Sequence, residues 1–193
     1  DGRGGTLNGD TMRIFFDTES PESDVTPTRV IIEGSATAAR NDGASLTAER
    51  INAALDRELS GRIIVAEAEA EGDVRFADGR DITGQAHRLE ARPPFELATL
   101  LGTNDVPALV NRGTGAISGP RIDLDGRSGT LAVRGPGTLS EADTTGERGA
   151  RRTIELAWSE GLAFDDPAGD VQVTGSVTGS LRSIEEDGVL AID

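Results

Sequence analysis

The sequence predicts an all-β protein, built from repeated antiparallel strands that bend into a folded-over sheet with one apolar side. Three observations predict it. A short pattern recurs at near-constant spacing, the stretches beside it alternate apolar and polar residues, and Asp-Gly turn signals fall between them.

The recurring pattern is an aliphatic residue, then Thr, Ser or Asn, then Gly or Ala, two variable residues and usually another apolar one. It reads Leu7-Asn8-Gly9-Asp10-Thr11-Met12, then Leu46-Thr47-Ala48-Glu49-Arg50-Ile51. A third copy is Ile82-Thr83-Gly84-Gln85-Ala86-His87, with His87 in the last apolar slot, and a fourth is Ile117-Ser118-Gly119-Pro120-Arg121-Ile122. The starts lie 39, 36 and 35 residues apart. Trp158-Ser159-Glu160-Gly161-Leu162 is a frayed fifth copy. The two anchors of a copy are five residues apart, so a straight strand puts them on opposite faces. A bulge or bend at the small residue returns both to one face. Ala48, Gly84 and Gly119 are therefore expected at equivalent corners of successive strands.

A second pattern, Gly-x-Ala/Val/Ile, precedes most copies: Gly34-Ser35-Ala36, Gly72-Asp73-Val74, Gly115-Ala116-Ile117 and Gly175-Ser176-Val177. Asp42-Gly43 and Asp78-Gly79 lie between the two patterns and predict type I′ hairpins, in which both central residues need positive φ. Asp125-Gly126 and Asp187-Gly188 mark further turns. Ile64, Ala66, Ala68, Ala70, Gly72, Val74 and Phe76 share one face of an alternating run, opposite Glu67, Glu69, Glu71, Asp73 and Arg75. Val171, Val173, Gly175, Val177, Gly179 and Leu181 repeat the arrangement. These are strands wet on one side.

Two stretches also carry helical signals. Thr47 to Ser60 has Ile51, Leu55 and Leu59 at helical spacing, but the strand-like sequence after the other copies favours a strand here. Pro94 to Gly102 begins with proline and ends with glycine, as helices do. Helix and strand both stay open over 94–102.

Composition narrows the function. The net charge is −15, from 19 cationic and 34 acidic residues, every cation being arginine. Binding to nucleic acid needs cations against phosphates, so it is not expected. There is no cysteine, hence no disulfide and no thiolate-held metal. No run approaches the ~20 apolar residues that span a bilayer as a helix. No signal peptide opens the chain, which reads as a mature protein or an excised piece of a longer one. With 3% aromatic residues and 25 glycines, the core must come from Ala, Val, Ile and Leu.

The order of motifs resembles the lipopolysaccharide-transport family of periplasmic proteins, also called organic-solvent-tolerance or OstA-like. The resemblance rests on Glu33-Gly34-Ser35-Ala36 through Leu46-Thr47-Ala48-Glu49-Arg50-Ile51, and on Ala70-Glu71-Gly72-Asp73-Val74-Arg75-Phe76 with Ile82-Thr83-Gly84. Gly113 to Gly119 with Ile122-Asp123-Leu124-Asp125 fits the next turn, and Leu131-Ala132-Val133-Arg134-Gly135 a closing strand. The resemblance covers roughly Leu7 to Val177. It implies a jellyroll, or β-taco, whose two sheets meet in a V and hold acyl chains between them. It also implies partners: a lipid or glycolipid, and other such units joined by edge-strand pairing. The best-matched unit is 28–139, with partial units at 1–27 and 140–193, within one continuous array over 1–193. The acidic composition and the start in mid-unit depart from the family, and the second suggests a fragment of a longer array.

Catalytic signals are weak. His87 is the only histidine, and no partnered nucleophile is visible for it. Trp158 reads as a core residue on the face of Ile154 and Leu156. The acidic groups Asp165-Asp166 with Asp170, Glu185-Glu186-Asp187, and Asp123 with Asp125 read as turns and solvated faces. Asp123 to Arg134 fails the EF-hand pattern, which needs Glu at position 12. Gly113 to Gly119 lacks the lysine of a phosphate loop. Arg148, Arg151 and Arg152 could meet a phosphorylated headgroup, though a solvated surface is the better account of them.

The function expected is a non-enzymatic lipid-binding and transport module of the periplasm or cell envelope, with no cofactor and no metal. Its candidate lining is Ile32, Ala36, Ala68, Val74, Phe76, Ile122, Leu131, Val133, Phe164, Val173 and Val177. The alternative is a structural tandem β-scaffold with a filled core and no lipid. A polysaccharide-active β-helix is disfavoured by the Asp-Gly hairpins and the long repeat.

Overall fold

The alternating stretches do form strands, and every strand pairing is antiparallel. The structure is a computed structural model that describes residues 5–17, 25–143, 151–165, 167–185 and 188–190. In chain order the strands are β1 (Gly5–Asn8), β2 (Thr11–Phe16), β3 (Pro27–Arg40), β4 (Ala44–Arg57), β5 (Ile63–Asp78) and β6 (Ile82–Arg92). After a 3-10 turn at Pro93–Phe95 come β7 (Leu97–Leu101), β8 (Ala108–Arg112), β9 (Gly115–Gly119), β10 (Arg121–Asp125) and β11 (Thr130–Arg134). β12 (Gly137–Asp143), β13 (Arg151–Trp158), β14 (Gly161–Asp165), β15 (Asp170–Thr174), β16 (Thr178–Glu185) and β17 (Gly188–Leu190) complete it.

The sheet is folded along a crease into two wings. Wing one contains β2, the first half of β3, the second half of β4, the first half of β5, the second half of β6, and then β7, β10, β11, β14 and β15 in spatial order. Wing two contains β1, the other halves of β3 to β6, and then β8, β9, β12, β13, β16 and β17. Early strands run through the crease. Later ones stop at it, and the chain crosses between wings in steps of one or two residues, such as Pro120 alone or Gly135 with Pro136.

Two local devices make the crease. On β3 and β5 a bulge sets two residues against one, with register shifts between Glu33 and Ala36 and between Glu71 and Val74. The bulged pairs are Gly34-Ser35, at φ 76° and 46°, and Gly72-Asp73, at φ 76° and 41°. Gly135 and Gly175 mark the same place later, at φ 90° and 92°. These left-handed conformations favour glycine. On the intervening strands the crease falls after Gly9, Ala48, Ala86, Gly119 and Trp158.

The five-residue anchor gap is explained for three copies. Leu7 and Met12, Leu46 and Ile51, and Ile117 and Ile122 all face inward because the strand turns between them. Ala48 and Gly119 are corners, as expected. Gly84 is not: it lies in regular pairing with Phe76 and Val110. The third copy is out of step by two residues. Ala86-His87-Arg88-Leu89 is the true match to Ala48-Glu49-Arg50-Ile51, so His87 stands exposed at the crease rather than in an apolar slot. Gly115 likewise starts a regular strand after a turn and marks no crease.

The hairpins occur where Asp-Gly signals them, but not as type I′ turns. Asn41–Gly43 is a three-residue loop in which Gly43, at φ 91°, is the residue with positive φ. Asp42 Oδ1 accepts from the Ala44 amide at 3.3 Å. Asp78 Oδ1 accepts from the amides of Arg80 and Ile82 at 2.8 and 3.1 Å, and Asp125 Oδ1 from those of Arg127 and Ser128 at 3.0 and 3.1 Å. The aspartates act as side-chain acceptors that close longer loops. Asp187 lies outside the described residues.

Thr47 to Ser60 is strand β4 and its turn, not helix. The open segment 94–102 is strand as well, after its single 3-10 turn; Glu96 reverses the chain at φ 57° and Leu97–Leu101 pairs on both sides. At Ala66 the alternation slips. Leu55 pairs with Val65, so the expected face of Ile64 and Ala66 does not continue that of Ala68.

Candidate functional site

The inward face of each wing carries rows of apolar side chains that cross the strands. The row of wing one beside the crease is bulky except at Ala70: Ile32, Ile51, Ala70, Leu89, Leu100, Ile122, Val133 and Leu162 pair in sequence across it. The facing row of wing two is small, with Ala36, Ala48, Ala86, Ala108, Gly119 and Gly137, interrupted by Val74 and Trp158. Large side chains meet small ones, and both rows are buried in one cluster. A Cβ on Gly119 would run into Cγ1 of Val133 in the other wing, which shows how closely the wings approach. Trp158 is buried, and its Nε1 donates to the Gly135 carbonyl at 3.1 Å.

One row further out most side chains are only half-buried, as the opposite wing covers them less, while Val30 and Val110 stay buried. On wing two this row holds Leu46, Phe76, Val110, Ile117, Leu139 and Leu156. On wing one four alanines stand side by side: Ala53 pairs with Ala68, Ala68 with Ala91, and Ala91 with Ala98. They leave a furrow across four strands, about 14 Å long at the usual strand spacing. Val30 closes one end and Leu124 the other, followed by Leu131 and Phe164.

Ten of the eleven candidate lining residues lie on this inward face, and Val177 lies in the connection between β15 and β16. Ile32, Ala36, Val74, Ile122 and Val133 are no more than 2% exposed, because the opposite wing covers them at the crease. Ala68, Phe76, Leu131, Phe164 and Val173 are half-buried where the opposite wing covers them less, and Val177 is exposed at the end of the array. Sequence reasoning missed Ala53, Ala91 and Ala98. Period-2 alternation around Ile51 and Leu89 would have reached two of them. Ala98 was hidden by the ambiguity over 94–102.

The outward faces are unlike each other. That of wing one is laced with ion pairs: Arg13 and Arg50 flank Glu33 at 2.6 and 3.5 Å, and Arg88 meets Glu69, Glu71 and Glu90. Asp123 accepts from Arg121 at 2.8 Å, Arg134 at 2.7 Å and Thr99 at 2.9 Å. Burial pushes its carboxyl up, but these hydrogen bonds outweigh burial and hold it below the usual carboxylate range. A shallow depression of about 510 Å³ lies here over Asp123, Thr99, Ala132, Ala163 and Gln172. The outward face of wing two is rich in Thr, Ser and Ala, with Ser118 and Thr138 hydroxyls 2.7 Å apart.

Among the described residues no three His, Cys, Asp or Glu side chains are placed to hold a metal ion. Asp166, Glu186, Arg148 and the side chains of Arg151 and Arg152 lie outside the described residues. No described helix is long and apolar enough to cross a membrane, which says nothing of strands.

No protein-family model matches the sequence, and no curated protein does. Among solved structures, the chain is similar to LptH of Pseudomonas aeruginosa, described as the LptA-homologous periplasmic component of the lipopolysaccharide transport device. That likeness has 10% sequence identity and a TM-score of 0.49, and it covers 68% of this chain and 82% of that one.

Proposed function

We propose that this chain is a non-enzymatic lipid carrier of the cell envelope, which holds the acyl chains of a lipopolysaccharide-like amphiphile between its wings. The alanine furrow carries the reading. Buried alkyl groups gain about 0.8 kcal/mol per CH₂, and a trough lined by Ala53, Ala68, Ala91 and Ala98 offers apolar surface with room above it. The chain would lie along the array, across the strands, under the facing Leu46 and Phe76. Of the candidate lining, Ala68, Phe76, Leu131 and Phe164 would touch it. Ile32, Ala36, Val74, Ile122 and Val133 would hold the wings together. Among the described residues β1, β2, β15 and β17 each pair on one side, which supports end-to-end joining to similar units.

The closed crease supports a second reading, a tandem scaffold that binds no lipid. Titration with a fluorescent single-chain fatty acid separates the two. The carrier binds it, and Ala68→Leu with Ala91→Leu weakens binding at least about tenfold while the melting temperature holds. No binding, or binding indifferent to both substitutions, would leave the scaffold.

A further inference from the structure

The outward face of wing two is neutral in a chain of net charge −15. Two outward rows run beside the crease from β1 to β16, and their only charged side chains are Arg75 and Glu155. The rest are small or uncharged, as with Thr37, Thr47, Ser118 and Thr138. The matching rows of wing one are crowded with ion pairs.

We propose that this neutral face packs against the same face of a second copy, about a twofold axis parallel to the strands between β8 and β9. Three observations support it. First, copies of so acidic a chain repel each other except where the approaching surfaces carry no net charge, and interface centres are depleted of charge. Second, the positions of the two charges fit the symmetry. Across wing two the strand order is β1, β3, β4, β5, β6, β8, β9, β12, β13, β16. An axis between β8 and β9 exchanges β5 with β13, and Arg75 lies one outward row nearer the crease than Glu155, so Arg75 of each copy stands diagonally across from Glu155 of the other, about 6.8 Å off along the strands, an offset that the long arginine side chain spans. An isologous interface requires this reciprocity. Third, the area suffices. The axis overlaps eight of the ten strands, β4 to β16, and eight strands at about 4.8 Å by two rows at about 6.8 Å give roughly 1,040 Å² over both copies, just above the ~1,000 Å² a specific interface needs. Small Thr, Ser and Ala side chains let two sheets approach to about 10 Å.

Arg75 is free to change partner. Its tie to Asp73 is 3.3 Å long and both side chains are more than half exposed, so it holds the guanidinium weakly. Glu155 accepts only from the Ser180 hydroxyl, at 3.3 Å, among the contacts described.

Sedimentation velocity of the whole chain over a micromolar to millimolar series tests the pairing. A reversible dimer is expected, weakened at least about fivefold by Arg75→Glu and by Glu155→Arg separately, and restored when the two reversals are combined. Thr138→Arg, which puts an unpartnered charge on the same face, should weaken it at least about tenfold. All these positions are half-buried or exposed, and far-UV circular dichroism checks that each variant folds. A monomer at every concentration overturns the proposal. So does association that ignores Thr138→Arg and both reversals, since contact through strand edges would behave that way.

Discussion

Glu49 folds over Gly72 at the crease, and a Cβ on Gly72 would stand 2.5 Å from the Glu49 carboxyl carbon. The same pairing of an overlying side chain with a left-handed glycine recurs at Asp10 with Gly34, Pro120 with Gly135, and Ser159 with Gly175. The fold line is thus built one strand pair at a time from a repeated contact.

Gly72→Ala should therefore cost more than conformational strain alone, about 2 kcal/mol or above. Gly113→Ala is the control. Gly113 also has positive φ, at 57°, but nothing lies within 4 Å of its added Cβ. Urea unfolding of both variants checks the difference, and equal losses would contradict the role of the overlying Glu49.

Gly119→Leu should wedge the wings apart at the crease. Its side chain would be forced onto Val133, with an expected loss of about 1–3 kcal/mol. Trp158, the only tryptophan, reports it: Gly137 lies between the two, with Trp158 Cζ2 2.6 Å from where its Cβ would be. A red shift of the emission is expected with strand content retained. An unchanged spectrum would show that the crease absorbs the bulk elsewhere.

Asp123 should make stability depend on acid pH. Its carboxyl is held below its ordinary value near 3.9 by Arg121, Arg134 and Thr99, against burial. The stabilisation is present above that pH and is lost as pH falls through the lower folded value. Asp123→Asn should cost about 1 kcal/mol at neutral pH, because both arginines are partly solvated. Melting temperatures across the pH range should show the gap to the native chain closing below about pH 4. A gap that is constant with pH would mean that the ion pairs contribute nothing.

Leu124→Ala should lengthen the furrow, since Leu124 ends the row after Ala98. The expected outcome is a gain in affinity for longer saturated fatty acids relative to shorter ones, with a stability loss of about 1–2 kcal/mol for a half-buried leucine. A chain-length series measured by fluorescence displacement checks it. Equal affinities in both proteins would move the end of the site elsewhere.

Much of the fold was legible in the chain. Alternation along Ala68 to Phe76 reveals a strand with one wet face, because side chains of a strand point to opposite sides in turn. The five-residue gap between Leu46 and Ile51 reveals the bend, since no straight strand can bury both. The misplaced third copy shows the limit. Gly84 and Ala86 are both small, and choosing between them needs the neighbours: Gln85 pairs with Leu109 in one wing and Arg88 with Leu101 in the other. Leu97–Leu101 is strand despite its helical signature because β6 and β10 satisfy its backbone on both sides.

The site divides in the same way. The sequence by itself determined which residues face inward, because period-2 alternation is local. Only the tertiary structure decided which of them are buried core and which stay half-buried. Ile32 and Ala68 read alike in the chain, yet Ile32 is 1% exposed and Ala68 is half-buried. The difference is distance from the crease: beside it the second wing covers Ile32, and one row out it covers Ala68 less.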